Sequence, residues 1–293
     1  MERKLMPKHL AMCAPDRFEV SYTINPWMQP DQWASQRVDL EARASLGWRQ
    51  LVSTFKSIGA QIEFVPPVAG LPDLVFTANA AVVLDGTALV ANFRHKERQG
   101  ETAIFEAFFR DLMARGIIKS VQLLPANIAL EGAGDCVWDA TRQCFWMGYG
   151  PRTDLAAGDH VSRVFGQQVH ALELINPHFY HMDTALCPLS GGEVLLVESA
   201  FSSRDIGLIR QIVGAENIIT VPPESAAQLA ANAVCLGRDL ILSTCSADME
   251  AAIVERGYQV HHVPLEPFAM SGGSAFCLTL ALDRQSGIAA KAA

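Results

Sequence analysis

The chain has no excess of positive charge: 23 lysines and arginines stand against 31 aspartates and glutamates, a formal net charge of −8. That speaks against a nucleic-acid or anionic-membrane partner, both of which favour a basic face, and leaves a small cationic ligand open. It also lacks any C-x-x-C pair, and its seven cysteines are odd in number and scattered. A disulfide framework or structural zinc site is therefore not expected, whereas a reducing, cytoplasmic setting is. No stretch approaches the ~18 uninterrupted apolar residues of a membrane-spanning helix. The first twenty residues carry no continuous apolar segment of the secretory type. Pro/Ser-rich linkers and low-complexity tracts are missing too. What is present is material for a core: 293 residues, 50% of them hydrophobic, suffice for one large domain without staples.

Short apolar runs alternate with amphipathic patterns. Strand candidates lie at 61–67, 80–92, 120–126, 193–199, 217–222, 233–243 and 258–264. In "VVLDGTALV", Asp85-Gly86 between two apolar arms predicts a hairpin. Trp33, Val38, Leu40, Ala44, Trp48, Leu51, Val52 and Phe55 fall on one stripe and predict a helix over 30–59 closing on Gly59. Residues 101–116 and 246–257 read likewise, each ending at glycine. The order helix, glycine, strand, turn, strand recurs, with 47–92 resembling 246–282. About five such units of roughly 50–60 residues fit the chain.

Four stretches break this pattern with polar residues: "PDLVFTANA" (72–80), "LEGAGDC" (130–136), "FYHMDTALC" (179–187) and "SGGSAFC" (271–277). There a loop can present side chains from a rigid scaffold. The glycines before Cys277 permit close approach of backbone to a ligand. A nucleophilic cysteine further needs a base and a field that favours thiolate, and a buried free cysteine is the plainer alternative. His181 is the best base among eight histidines, since Asp183, two residues on, shares its face on an extended segment. A structural histidine is the alternative. A metal set of His178, His181 and Asp183 is weak, because H-x-x-H is an unspecific spacing and no further cluster completes it. Glu131 is a carboxylate at the end of an apolar strand. It is costly to bury without a cation, so its partner is expected from a ligand. Asp135 reads as a turn former.

Taken in order, "PDLVFTAN", "RQGE" (98–101), "EGAGD", "GPRTD" (150–154), "HMD" and "SGGSAFC" resemble the guanidino-group-modifying enzymes, the pentein superfamily, over nearly the whole chain. The resemblance implies an α/β fold, a pseudo-fivefold α/β propeller built from ββαβ units, with residues 1–293 as a single catalytic domain. It implies a hydrolase of linear amidines with Cys277 as nucleophile, His181 as general acid and base, and Glu131 gripping the guanidinium. Asp183 would be a second guanidinium-facing or histidine-orienting acid. Arg98 and Arg152 would fork onto a substrate α-carboxylate, a task suited to a planar guanidinium. Arg98 also reads as one charge of a solvated loop, and 92–101 as a polar gating segment. Neither a metal nor an organic cofactor is implied.

Asn79 departs from the deiminase and dimethylargininase pattern, which usually has aspartate there. An aspartate only accepts hydrogen bonds, whereas an amide also donates. It can therefore face the carbonyl oxygen of a ureido product and hold it for a second attack. Arginine dihydrolases resemble this chain in having asparagine at that place. Asn25, in "NPWM", resembles their early segment, where the first strand turns into the site. The implied reaction is hydrolysis of arginine to ornithine, ammonia and carbon dioxide through a covalent thiouronium. A single-round dimethylargininase or arginine deiminase, an amidinotransferase and a non-catalytic pentein remain as alternatives. The implied partner is a small guanidino compound, arginine or a methylated arginine, with a homo-oligomer left open.

Overall fold

Strand β1 (His9–Cys13) opens the order, and helix α1 (Arg37–Ser57) returns the chain so that β2 (Gln61–Val65) pairs parallel to β1. A computed structural model describes residues 8–287; residues 1–7, on which part of the expectation of no leader rests, lie outside the described residues. Next comes the Asp85-Gly86 turn. Both residues take positive φ, 54° and 79°, as a two-residue type I′ turn requires. The turn joins β3 (Ala81–Leu84) antiparallel to β4 (Thr87–Val90). Helix α2 (Glu101–Ala114) crosses over, and β5 (Ser120–Leu123) pairs parallel to β4.

That unit recurs. Strands β6 (Cys136–Asp139) and β7 (Cys144–Tyr149) are antiparallel, and after helix α3 (Ala157–Phe165) β8 (Gln168–Glu173) runs parallel to β7. Strands β9 (Leu186–Pro188) and β10 (Val194–Leu196), helix α4 (Ser203–Val213) and β11 (Ile218–Thr220) repeat the pattern. So do β12 (Val234–Leu236), β13 (Asp239–Leu242), helix α5 (Ala247–Glu255) and β14 (Gln259–His262). Finally β15 (Leu280–Ala281) pairs antiparallel to β1, so the last strand completes the sheet that the first one began. Among the described residues this gives five three-stranded sheets in an α/β fold.

The strand candidates all hold observed strands, and 233–243 contains both arms of a hairpin. The expected helix over 30–59 is two helices. Gln36 leaves helical geometry (φ −125°, ψ 17°), separating a short Pro30–Ser35 helix from α1. Val38, expected on the core stripe, is 83% exposed, whereas Leu40, Ala44, Leu51 and Phe55 are buried at helical spacing. Each large apolar side chain so buried stabilises the fold by roughly 1.5–3 kcal/mol.

Five irregular segments precede the first strand of each antiparallel pair, and they carry the polar residues of interest. They span 72–80, 130–135, 179–185, 223–233 and 266–279. The last is braced by α1. A Cβ at Gly47 would stand 2.1 Å from the main-chain oxygen of Pro264, two residues before the helical turn Glu266–Ala269 that leads to Ser271 and Cys277. Exchanging Gly47 for alanine would gain about 1 kcal/mol from helix propensity alone, but overlap with a fixed carbonyl costs more. Gly47→Ala is expected to lower the unfolding free energy by about 1–3 kcal/mol in urea titrations. A stabilised variant would show that the contact is slack.

Candidate active site

Glu131 ends the apolar approach to β6 and is fully buried. Its Oε2 accepts from Arg152 Nη1 at 2.9 Å and from His181 Nε2 at 2.8 Å, with Arg98 Nη1 at 3.8 Å. Burial alone would raise its pKa. The Arg152 charge, the His181 hydrogen bond and Arg98 together outweigh it and hold the carboxyl well below the usual range. Glu131 is thus an ionised acceptor, and its Oε1 has no hydrogen-bond partner.

His181 is buried at the edge of the Met182–Thr184 turn. Burial pushes it down to about 4, against the pull of Glu131 and with help from Arg152 and Arg98. It is therefore neutral near pH 7. A carboxylate only accepts, so Nε2 carries the proton toward Glu131 and Nδ1 keeps a lone pair. That Nδ1 has no partner. It stands 3.5 Å from where a Cβ of Gly134 would be, and the Asn79 amide nitrogen 2.1 Å from it. Only glycine at 134 lets both side chains approach this closely.

Cys277 is buried, and its thiol donates to Asp183 Oδ2 at 3.1 Å. Burial and the neighbouring Asp183 push the thiol well above its usual range. Burial pushes Asp183 itself up to about 7, and the hydrogen bond from Cys277 opposes this. Asp183 lies in a helical turn rather than an extended segment. Its carboxylate consequently meets the sulfur, and the acid that holds the His181 ring is Glu131. Asp183 Oδ1 and Ser274 Oγ are buried without partners.

Both expected arginines are buried beside these groups. Arg152 bridges Glu131 and the Ile24 carbonyl, with its guanidinium 4.5 Å from the Tyr180 ring centroid. Arg98 is no charge of a solvated loop. Its Nε and Nη2 make a two-point contact with Glu101, at 2.9 and 2.8 Å, and Nη1 donates to Asn79 Oδ1 at 2.9 Å. The segment 92–101 therefore anchors the site through Arg98 and Glu101. The closing contacts come from elsewhere: Asn25 Nδ2 and the Tyr180 hydroxyl donate to the Ser271 carbonyl, and Trp27 Nε1 donates to the His178 carbonyl. Asn25 thus ties the early segment to the Cys277 segment, its Oδ1 accepting from Trp27 N.

Asn79 turns its oxygen to Arg98 and its amide hydrogens toward the Glu131 carbonyl, 3.4 Å away. Asp135, read from sequence as a turn former, is buried. It accepts from the Thr153 hydroxyl at 2.7 Å and from Met182 N at 3.1 Å, joining the Glu131 and His181 segments. His178, His181 and Asp183 do not gather ligand atoms. Among the described residues the group close enough for a metal is Cys245, Glu250 and His262. Sequence reading missed Asp73, Glu101, Thr153 and Asn232. Asp73 accepts from Tyr22 and Ser271. For Asn232 a signal existed: "ANA" at 231–233 repeats "ANA" at 78–80, each just before an apolar strand.

The groups suit a planar cation: Glu131 Oε1 and Asp183 Oδ1 are buried carboxylate oxygens without partners, His181 keeps a buried lone pair, and the Cys277 thiol is buried against Asp183. Residues 14–284 match the family model described as N,N dimethylarginine dimethylhydrolase, eukaryotic. The bifunctional arginine dihydrolase/ornithine cyclodeaminase ArgZ of Synechocystis sp. is 37% identical over 271 residues, covering 92% of this chain and 37% of ArgZ. The chain thus spans little more than a third of that relative's length. The N(G),N(G)-dimethylarginine dimethylaminohydrolase of Mycobacterium tuberculosis is 31% identical over 273 residues, 93% of this chain and 85% of that protein. The crystal structure of the N-terminal domain of ArgZ bound to product matches with a TM-score of 0.89 at 35% identity, covering 96% of this chain and 99% of that domain.

Thr153 is the joint of the acidic cluster, because its hydroxyl accepts from Glu131 N at 3.1 Å and donates to Asp135. Thr153→Val keeps the shape and leaves two buried groups without partners. It is expected to cost about 2–4 kcal/mol of stability, read from urea unfolding. A loss below about 0.5 kcal/mol would show that the joint is dispensable.

Proposed function

The chain belongs to the N,N dimethylarginine dimethylhydrolase family, and within it we propose that it acts as an arginine dihydrolase, converting arginine and two waters to ornithine, two ammonia and carbon dioxide. The observation that carries this reading is Asn79, an amide in contact with Arg98 and the Glu131 main chain inside the carboxylate cluster. Likeness to ArgZ over almost the whole of this chain supports it. The roles below follow from that reading.

A guanidinium is all donors and suits the bare Oε1 of Glu131 and Oδ1 of Asp183. Held there, its charge offsets the field that keeps Cys277 protonated. The thiol loses its proton as sulfur bonds to the guanidinium carbon, and that proton leaves on the departing ammonia by way of His181. A thiouronium remains. Water, activated by His181, attacks it; the carbon–sulfur bond breaks, the thiol regains a proton and a ureido group forms. Oriented amides and carboxylates do most of this work by fixing the reacting carbon against the sulfur.

The second round needs a site that tolerates a carbonyl oxygen. An aspartate at 79 would repel it, while the Asn79 amide can turn its hydrogens to it. Sulfur then displaces the second ammonia, and water releases a carbamate that decays to ornithine and carbon dioxide. Water is the one co-reactant that the balance needs. We further read the five sheets as blades of a pseudo-fivefold propeller and residues 1–293 as one catalytic domain. Seven free cysteines fit a cytoplasmic location, and among the described residues no helix is long and apolar enough to cross a membrane.

Purified protein incubated with L-arginine is expected to yield ornithine as the main product. Asn79→Asp should let citrulline accumulate and slow ornithine formation by about tenfold or more. Citrulline as the sole product of the unaltered protein contradicts the two-round reading, and dimethylamine release from dimethylarginine would favour a single-round enzyme.

A further inference from the structure

We propose that Asn232 is a further catalytic residue, whose amide N–H is aimed at the Cys277 sulfur and stabilises it as thiolate. The inference deepens the function proposed above and rests on Cys277 being the nucleophile.

Asn232 lies two residues before β12 and is fully buried. Its Oδ1 accepts from Ser274 N at 2.9 Å and from Cys277 N at 3.1 Å. Its Nδ2 donates to Cys277 Sγ at 3.1 Å and to the Asp183 carbonyl at 3.2 Å. All four hydrogen-bonding positions of the amide are therefore used. The orientation is forced: a main-chain N–H can only donate, so the two N–H groups must meet the oxygen, and the nitrogen is left for the sulfur. One side chain thus holds both the main chain and the sulfur of Cys277. A further bond from Phe276 N to the Asn232 carbonyl, 3.2 Å, fixes the same segment.

The sulfur is flanked by two groups with opposite tasks. Asp183 Oδ2, at 3.1 Å, accepts the hydrogen bond of the thiol for as long as sulfur keeps its proton. Once that proton has gone, Asp183 offers the sulfur only repulsion, and the Asn232 N–H becomes a hydrogen bond to an anion, the stronger kind. At a sulfur this deeply buried, a protein donor takes the place that solvent fills around an exposed thiolate. The fold supplies the position twice. Asn79 sits two residues before β3 as Asn232 sits two before β12. One amide serves Arg98 and Glu131, the other the nucleophile.

Asn232→Asp tests this, since one carboxylate oxygen still accepts from Ser274 N and Cys277 N while the donor to sulfur is lost. The turnover number on L-arginine is expected to fall by about 10- to 100-fold with KM nearly unchanged. The pH midpoint for alkylation of Cys277 by iodoacetamide, followed by peptide mass, is expected to rise by about one to two pH units. A new carboxylate beside the sulfur would itself raise the midpoint, so Asn232→Ala, which removes the donor without adding charge, carries the decision. A midpoint left in place in that variant, with only the alkylation plateau lowered, overturns the proposal. Unfolding of both variants would make Asn232 a folding residue and defeat the idea. Alkylation requires no substrate. A raised midpoint in a protein whose parent does not turn over arginine would therefore refute the dihydrolase reading and leave this one standing.

Discussion

Negative charge buried without enough positive charge beside it is the constraint on which the rest depends. Asp73, Glu101, Glu131, Asp135 and Asp183 are all buried in one region, with Arg98 and Arg152 as the buried cations among them. Removing a carboxylate from water costs several kcal/mol unless a partner compensates. The cluster answers in two ways. Glu131, with Arg152 and Arg98 nearby, remains ionised, while burial lifts Asp183 and Glu101 to about 7. On the proposed reading, a flat cation completes the compensation and favours the ionised form of Asp183, the group that touches the sulfur.

The fold makes such a cluster affordable by repetition. Five sheets bring five irregular segments to the start of their first strands, and each segment delivers its own chemistry. Glu131, His181, Asn232 and Cys277 come from four different units, yet hydrogen bonds of 2.8–3.1 Å link them in pairs. No single segment supplies both members of either pair. Close approach depends on small residues at the contacts. At Gly273 a Cβ would fall 2.4 Å from the Phe76 ring, and at Gly134 it would fall on the Asn79 amide.

Much of this was legible in the sequence, and what was missed has physical reasons. The Asp85-Gly86 turn and the glycine-ended helices carry local instructions, so they read correctly. Strands β6 and β7 were overlooked because "CVWDATRQCFWMGY" alternates aromatics with polar residues instead of running through valine and isoleucine. The break at Gln36 lacks a proline or glycine to announce it. In the site, Glu131, His181, Asp183 and Cys277 stood out because each interrupts an apolar stretch. Their pairing did not, since which carboxylate meets the ring and which meets the sulfur is decided between segments 50 and 94 residues apart. Asp135 and Asn232 look like turn residues locally, and only tertiary contacts reveal their partners.

The central claim, that a cation is drawn into a cluster whose acid beside the sulfur is half-protonated near neutrality, can be measured directly. Binding of L-arginine to Cys277→Ser, which keeps a hydroxyl donor for Asp183, should be followed by calorimetry in buffers of different ionisation enthalpy. At pH 7 the account predicts release of roughly half a proton per site as Asp183 ionises, with more released at pH 6. A binding enthalpy that is independent of buffer, or net uptake of protons, would contradict it.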